Sequence, residues 1–254
     1  MVDVKEQNYV NGRRKNSQKT ARICEYMTYS GREAFKRLRT NVMISLGDKA
    51  KGKNNIIGIT SAQPSEGKST VAINLAYSLA ELDKSVILLD CDLRRPSIHA
   101  NIGIPQIPGM TEVLSGEENL SDVAKRYKST VNDICFDIIV AGVLPNNPSE
   151  ILSSSRFTRL LEAVSEAYDV VILDLPPVNA VVDAAEVSGV TDGLVVVIRE
   201  NHCARYVLKD CMEQLQYAKA NILGFVLNGS VGGNKRYQYG KAYRYDNAYY
   251  QYEK

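Results

Sequence analysis

The chain has 254 residues, a hydrophobic content of 44% and a formal net charge of +2, enough apolar material for one large α/β domain or two small ones. A charge this close to balance gives no reason to expect nucleic acid as the main partner. The apolar runs are far shorter than the roughly 20 residues of a membrane span, so we expect a cytoplasmic protein. The five cysteines form no C-x-x-C pair, which argues against a metal or disulfide framework.

The amino-terminal part of the sequence divides into a leader and a helix. Residues 1–25 are polar and aperiodic, and we expect a flexible basic leader. Ser30 and Glu33 form a capping-box pattern at the start of a predicted helix in the region 26–50, and Gly47 is expected to end it. The helix carries one apolar stripe, formed by Phe35, Leu38, Val42 and Leu46.

Short apolar runs then alternate with helical periods up to residue 228. Strands are predicted at 56–61, 85–90, 136–141, 169–174, 193–199 and 222–227. Helices are predicted at 67–82, near 110–127, and at 153–167, 181–189 and 203–219. Strands that are continuous Val, Ile and Leu runs are buried on both faces, as in a parallel sheet covered by helices. The sequence therefore predicts a three-layer α/β domain with a mostly parallel sheet, over residues 26–228.

The segment "IIGITSAQPSEGKSTVAINLA" places a tight loop between a buried strand and a helix. Glycine allows a close backbone approach to phosphate, the lysine can reach the β- and γ-phosphates, and the first hydroxyl suits Mg²⁺. The pattern departs from G-x-x-x-x-G-K-[ST] because Ala62 replaces the first glycine. Residues predicted to bind nucleotide here are Glu66, Gly67, Lys68, Ser69 and Thr70.

Two further predicted strands end in carboxylates. Asp90 and Asp92 close the run "VILLDCD" and precede Arg94, while Asp174 closes "DVVILD". A single aspartate at a strand end is often a turn former, but three near a phosphate loop are candidates for Mg²⁺-nucleotide chemistry at the carboxyl edge of a parallel sheet. No N-K-x-D guanine signature follows, so ATP is favoured. Asn228 ends the last predicted strand, where it could read adenine or form a turn.

The segment 229–254 carries five Lys/Arg residues and two acids, and from residue 236 onward it has no Leu, Ile, Val or Phe. We expect a disordered tail. Two other interpretations stay open: an edge strand, and a basic-aromatic segment that binds RNA or polysaccharide beside a structural nucleotide. Its candidate phosphoacceptors are Tyr237, Tyr239, Tyr243, Tyr245, Tyr249, Tyr250 and Tyr252.

Taken in order, "SAQPSEGKST", "LLDCDLRRP", "PNNPSEIL", "VILDLPP" and the tyrosine cluster resemble the bacterial tyrosine kinases of capsule and exopolysaccharide production, which have a P-loop NTPase-like domain. The resemblance covers about residues 26–254. It implies a non-specific protein-tyrosine kinase that transfers the γ-phosphate of ATP to protein tyrosines, including those in its own tail. The acceptor tail would belong to a neighbouring subunit of a ring, for which the family suggests an octamer.

The resemblance also implies roles for individual residues. Lys68 and Arg94 would offset charge on the transferred group, and Asp90 would take or orient the tyrosine proton. Mg²⁺ would be held by Ser69, Asp92 and Asp174.

The predicted first helix resembles the family's E-x-x-R-x-x-R subunit-contact motif through Glu33, Lys36 and Arg39, with lysine in place of the first arginine. A lysine lacks the fork that makes bidentate pairs, so the contact would be weaker or differently paired. A separate membrane activator of the polysaccharide co-polymerase type is implied as a partner. It would recruit the kinase to the inner face of the cell membrane.

The nearest rival function is that of a partition or division-positioning ATPase, which shares the predicted fold and loop. Those proteins carry a lysine five residues before the loop lysine, and this chain has Gln63 there. The tyrosine-rich tail also argues against that function.

Overall fold

The computed structural model describes residues 9–11, 23–47 and 55–229, so the predicted tyrosine-rich tail beyond Gly229 lies outside the described residues. The strands are β1 (Tyr9–Asn11), β2 (Asn55–Ser61), β3 (Val86–Asp90), β4 (Lys125–Lys128), β5 (Cys135–Ile139), β6 (Val170–Asp174), β7 (Gly193–Arg199) and β8 (Ile222–Asn228). The helices are α1 (Tyr29–Leu46), α2 (Lys68–Ala80), α3 (Ile98–Ile102), α4 (Met110–Ser115), α5 (Leu120–Val123), α6 (Pro148–Leu152), α7 (Ser155–Ala167), α8 (Asp183–Ser188) and α9 (Arg205–Tyr217).

These strands form one sheet in the order β1-β4-β5-β3-β6-β2-β7-β8. Every neighbouring pair is parallel except β4 and β5, which are antiparallel, so the predicted mostly parallel sheet is confirmed. The central strand β6 is flanked by β3 and β2. Asp174 at its carboxyl end is in register with Asp90 on β3 and Ile59 on β2, which brings the candidate carboxylates to the mouth of the loop after β2.

The central strands β2, β3, β5, β6 and β7 are buried on both faces, which gives the predicted three layers. One core contains residues of α1, α2 and α3, and the other contains residues of α4 to α9. Side chains of the central strands alternate between the two cores; in β3, Ile87 and Leu89 belong to the second core and Leu88 to the first, all fully buried. Across the described ranges, no helix combines the length and apolar character needed to cross a membrane.

Helix α1 forms where the apolar stripe predicts it, and its stripe packs against the first core. The predicted capping box is wrong, because the helix begins two residues earlier with Thr28 as its N-cap. The Thr28 hydroxyl accepts a hydrogen bond from the Gly31 amide, and Glu33 pairs with Lys36 instead of the helix start. The predicted end at Gly47 is confirmed.

Two other boundaries differ from the prediction. The helical region near 110–127 ends in β4, because Lys125–Lys128 pairs with β5 and buries Tyr127 against it. The leader predicted at 1–25 contains β1, whose backbone pairs with β4. Ile23 and Cys24 are buried in the first core, so the packed domain begins before residue 26.

Candidate functional site

The loop between β2 and α2 has the backbone geometry of a phosphate-binding loop. Gly67 is left-handed (φ 92°) directly before α2, and Ser65 has a positive φ of 67°. The first-turn amides of a helix lack intrahelical partners, and together with the helix dipole they favour an anion. A Cβ atom at position 67 would lie 2.1 Å from the Asn228 side chain. Both conformation and space therefore require glycine here.

Carbonyl oxygens of the same loop are bound by side chains from the β7–β8 edge of the sheet. The pairs are His202 with Pro64 (3.1 Å), Arg199 with Ser65 (3.2 Å) and Asn228 with Glu66 (2.8 Å). Engaged carbonyl oxygens cannot turn toward a ligand, so the loop presents mainly N–H groups to an anion. Asn228, predicted to read adenine or form a turn, has its Nδ2 group committed to this contact.

The Glu66 carboxylate supports the loop from behind. It is fully buried and accepts hydrogen bonds from the backbone amides of Gln63 (2.9 Å) and Arg199 (3.2 Å). Gln63, which occupies the position of the rival family's lysine, donates from Nε2 to the carbonyl oxygen of His202 (2.8 Å). Glu66 was predicted to bind nucleotide, but its side chain is engaged within the protein, so only its backbone can contact a ligand.

Lys68 lies at the centre of the predicted site. Its Nζ atom is 2.8 Å from Asp92 Oδ2, 3.6 Å from Asp174 Oδ1 and 3.4 Å from Ser69 Oγ. Burial lowers the pKa of Lys68, but the nearby carboxylates of Asp174 and Asp92 more than offset this, so its pKa lies above the ordinary value. The lysine is therefore charged. Four site residues predicted from the sequence, Lys68, Ser69, Asp92 and Asp174, lie together.

Asp90 and Asp174 lie side by side and fully buried beneath this lysine. Asp90 Oδ2 accepts hydrogen bonds from the backbone amides of Ser97 (3.2 Å) and Ile98 (3.1 Å), which anchors the start of α3. Within the described residues, Asp90 Oδ1 and both carboxylate oxygens of Asp174 have no hydrogen-bond partner. Burial and the neighbouring Asp174 raise the pKa of Asp90 to about 8, and burial also raises the pKa of Asp174. Such a pair favours a bound cation or proton.

Above these carboxylates opens a cleft of about 530 Å³, a volume in the range of small-molecule sites. The Ser97 hydroxyl, also on the cleft wall, donates to Ser69 Oγ at 2.8 Å. Asp90 and Asp174 are not among the lining residues. Predicted site residues that line it are Gly67, Lys68, Ser69, Thr70, Asp92 and Arg94.

Arg94 lines the cleft but is held by two residues that sequence reasoning did not single out. Its Nε atom donates to Asp183 at 2.9 Å, and its Nη2 atom donates to Ser149 Oγ at 2.9 Å. Ser149 belongs to the quoted segment "PNNPSEIL", and Asp183 was visible only as an acid at the start of a predicted helix. Neither signal alone indicates a contact with Arg94.

The three residues of the predicted subunit contact differ in their surroundings. Glu33 and Lys36 form an ion pair of 2.8 Å on α1, with side chains 29% and 43% exposed. Arg39 is 11% exposed and is bound inside the chain, where it donates to the carbonyl oxygen of Ser78 and lies 3.2 Å from Glu81. Arg39 therefore ties α1 to the end of α2.

A parallel sheet, a glycine-dependent loop before α2 and a lysine bound by strand-end carboxylates define a P-loop nucleotide-binding protein. The family model described as "AAA domain" matches residues 54–224. Tyrosine-protein kinase YwqD of Bacillus subtilis is 35% identical over 197 residues, which cover 78% of this chain and 80% of the relative. Tyrosine-protein kinase CpsD of Streptococcus agalactiae is 33% identical over 198 residues (77% and 82%).

Among solved structures, the kinase domain of Escherichia coli tyrosine kinase ETK superimposes with a TM-score of 0.75 at 33% identity, covering 90% of this chain and 87% of that domain. In sequence, this chain matches only 26% of the length of the full-length E. coli kinase. The chain belongs to the family of bacterial tyrosine-protein kinases, and protein-tyrosine kinase activity follows from that membership.

Proposed function

We propose that this chain uses Mg²⁺ and ATP to phosphorylate tyrosines in the carboxy-terminal segment of a neighbouring subunit. The observation that carries the proposal is the position of Lys68, 2.8 Å from Asp92 and 3.6 Å from Asp174 beneath the phosphate loop. A lysine with two carboxylate partners can exchange them for phosphate oxygens when ATP enters. The amides at the start of α2 would then bind the phosphates from the other side.

The donor atoms fit Mg²⁺, which prefers hard oxygen ligands. Both oxygens of Asp174 are buried and lack hydrogen-bond partners in the described part of the chain, and Oδ1 lies 3.6 Å from Lys68 Nζ. A cation or its water would satisfy these atoms once Lys68 turns to the phosphates. Ser69 and Asp92 supply further oxygens on the cleft wall. No group of three or more His, Cys, Asp or Glu side chains among the described residues could hold a metal ion, so phosphate oxygens would complete the set. Bound Mg²⁺ would neutralise charge on the phosphates.

Transfer requires the tyrosine hydroxyl to lose its proton. Its oxygen forms a bond to the γ-phosphorus, the bond from that phosphorus to the bridging oxygen breaks, ADP leaves, and the proton passes to a carboxylate. Following the family resemblance, we assign the proton to Asp90; burial and the neighbouring Asp174 raise its pKa, so it holds a proton more readily than an ordinary carboxylate does. Oδ1 is its available atom, because Oδ2 binds backbone amides. Asp92 lines the cleft and is the alternative acceptor; Asp90→Asn and Asp92→Asn distinguish the two.

Sequence and charge support the carboxy-terminal segment as the acceptor. From Gly229 onward it carries a net charge of +3, from five Lys/Arg and two acids. At up to about 3.5 Å per residue, its 26 residues could extend roughly 90 Å, enough to enter a neighbour's cleft. Its seven acceptor candidates lie between residues 237 and 252.

The test compares the unaltered chain with two variants after incubation with Mg-ATP. Lys68→Met should abolish phosphate incorporation, and replacing the seven acceptor tyrosines by phenylalanine should abolish it while leaving nucleotide binding intact. Mass spectrometry should place phosphate between residues 237 and 252. Exposed tyrosines of the folded domain serve as internal controls: Tyr206 and Tyr217 are 71% and 91% exposed, and phosphate on them alone would contradict the assignment.

The proposal includes a ring assembled partly through the Glu33–Lys36 surface of α1, and a membrane activator that recruits the kinase during capsule or exopolysaccharide production. The family resemblance and the part-exposed ion pair on α1 support it. Lys36→Glu should lower the mass of the assembly in analytical ultracentrifugation, because it sets like charges three residues apart. An unchanged mass would exclude this surface from the contact.

A further inference from the structure

A buried carboxylate fixes the orientation of Arg94. Asp183 is fully buried, and its Oδ2 and Oδ1 atoms accept from Arg94 Nε (2.9 Å) and Nη2 (3.2 Å), a two-point contact that defines the plane of the guanidinium group. Ser149 completes the arrangement, since its hydroxyl donates to Asp183 Oδ1 at 2.6 Å and accepts from Arg94 Nη2 at 2.9 Å. The three residues come from the loop after β3 and the starts of α6 and α8.

The Nε and Nη2 side of the guanidinium group is bound within the protein, and the Nη1 side is not. The Nε and Nη2 atoms bind Asp183 and Ser149, whereas Nη1 donates no hydrogen bond to any of the described residues. The Arg94 side chain is 38% exposed, and the residue lines the same cleft as Lys68 and Ser69. A solvated arginine would sample many rotamers, and fixing one for a ligand costs entropy. Here the ordering is already provided by the fold.

We propose that Asp183 and Ser149 are positioning residues that act through Arg94, holding its Nη1 group for the terminal phosphoryl group of ATP. This inference rests on the proposed function and deepens it. It assigns a task to the starts of α6 and α8, which carry no group that lines the cleft. Because ADP lacks the terminal phosphoryl group, the two residues should distinguish ATP from ADP.

The competing explanation is that the ion pair only fastens α6 and α8 to the loop after β3. Both explanations predict lower stability when the contact is broken, so stability cannot separate them. They differ in whether the effect passes through Arg94. A residue that acts through Arg94 has nothing left to contribute once the arginine is removed, and a double-mutant cycle measures this.

The experiment uses the full chain with Asp183→Asn, Arg94→Ala and the combined variant. Titrations with fluorescent ADP and with a non-hydrolysable β,γ-imido ATP analogue give the two affinities. We expect Asp183→Asn to weaken binding of the analogue by about tenfold and binding of ADP by no more than about twofold. The reason is that only the analogue carries the terminal phosphoryl group that Nη1 would contact. In the Arg94→Ala background, Asp183→Asn should have no further effect on the ratio of affinities.

Ser149 provides a milder probe if the aspartate variants fold poorly. Ser149→Ala removes the hydroxyl and should weaken analogue binding selectively, while Ser149→Thr keeps it and should restore the ratio. Equal losses for ADP and the analogue, or additive losses in the combined variant, would overturn the positioning role. Phosphotyrosine formation by the unaltered chain is measured in parallel: its absence would refute the proposed function, and the affinity ratios would still decide the role of Asp183.

Discussion

Asn228 and Gly67 fit together at the back of the phosphate loop. The Asn228 Nδ2 atom donates a hydrogen bond of 2.8 Å to the carbonyl oxygen of Glu66, and the same atom would lie 2.1 Å from a Cβ added at Gly67. The last strand of the sheet therefore occupies the space that any side chain at position 67 would need. A strand distant in sequence thus sets the shape of the loop.

Gly67→Ala should reduce nucleotide affinity by at least about tenfold, because the new Cβ must displace Asn228 and φ of 92° is unfavourable for alanine. Titration with fluorescent ADP measures the loss. Adding Asn228→Ala should recover only part of it, since the backbone strain remains. Gly189→Ala is the matched control: φ is −67° and the nearest atom to its Cβ is 3.8 Å away, so affinity should not change. Normal ADP binding by Gly67→Ala would contradict this account of the loop.

Arg39→Ala should lower the free energy of unfolding by about 1–3 kcal/mol, because the arginine is mostly buried and binds Glu81 and the Ser78 carbonyl. Urea denaturation measures the change. Arg37→Ala, at an exposed position of the same helix, should stay within about 0.5 kcal/mol. If Arg39 served mainly in contacts between subunits, its replacement would instead lower the mass of the assembly and leave the unfolding curve of the monomer unchanged.

The central strands could be predicted from the sequence because their chemistry is local. Strands buried on both faces are continuous apolar runs, so β2, β3, β5, β6 and β7 lie within two residues of their predicted bounds. The apolar run of β8 is found equally well, although Phe225 and Leu227 on this strand are exposed. β4 could not be found in this way. Its four residues, "KRYK", become a strand only because Tyr127 is buried against β5, and that pairing is not encoded within the segment.

The residues of the candidate site likewise divide into those marked by a local sequence pattern and those that depend on distant contacts. Lys68 and Ser69 occur in a recognisable loop-to-helix pattern, Asp92 and Asp174 in strand-end patterns, and the fold brings them together. The residues that hold them in place come from other parts of the chain: Arg199 and Ser65 are 134 positions apart, and Asp183 and Arg94 are 89. Nothing in a local pattern marks a side chain whose partner lies so far away. The supporting contacts therefore could not be predicted from the sequence and are visible only in the structure.

The ion pair of Arg126 and Asp137 offers a test of buried charge. Arg126 Nε lies 2.6 Å from Asp137, whose other oxygen accepts from the Tyr168 hydroxyl at 2.7 Å. Tyr168→Phe should cost about 1 kcal/mol, since the carboxylate keeps its arginine, whereas Arg126→Met should cost about 3–5 kcal/mol by leaving a buried carboxylate without a counter-charge.

Urea unfolding of the two variants measures both costs. The control is Lys209→Ala, which removes an exposed pair of 3.5 Å with Glu213 and should cost no more than about 0.5 kcal/mol. Equal losses for Arg126→Met and Lys209→Ala would show that the Asp137 charge is compensated in another way.

Asp183 should make the stability of the domain depend on pH. Burial raises its pKa, but hydrogen bonds from Arg94 and Ser149 lower it by more, so its pKa in the folded chain lies below the ordinary value. A carboxyl group with a lowered folded pKa stabilises the fold above its unfolded pKa, near 3.9, and the contribution is lost as pH falls through the folded pKa. The difference in unfolding free energy between the unaltered chain and Asp183→Asn should be constant from about pH 6 to 8 and shrink below about pH 4. If this difference in unfolding free energy instead grew as the pH falls, the pKa of Asp183 would be raised on folding, which would refute this assignment.

The contacts between the phosphate loop and the β7–β8 edge bear on where the nucleotide-binding unit can be cut. The family model ends at residue 224, and a fragment trimmed there would keep Lys68 and every strand-end carboxylate. It would nevertheless lose Asn228, the partner of the Glu66 carbonyl oxygen. A fragment that retains the fully supported loop therefore extends at least four residues beyond that boundary, to Asn228, directly before the segment proposed as the phosphoacceptor.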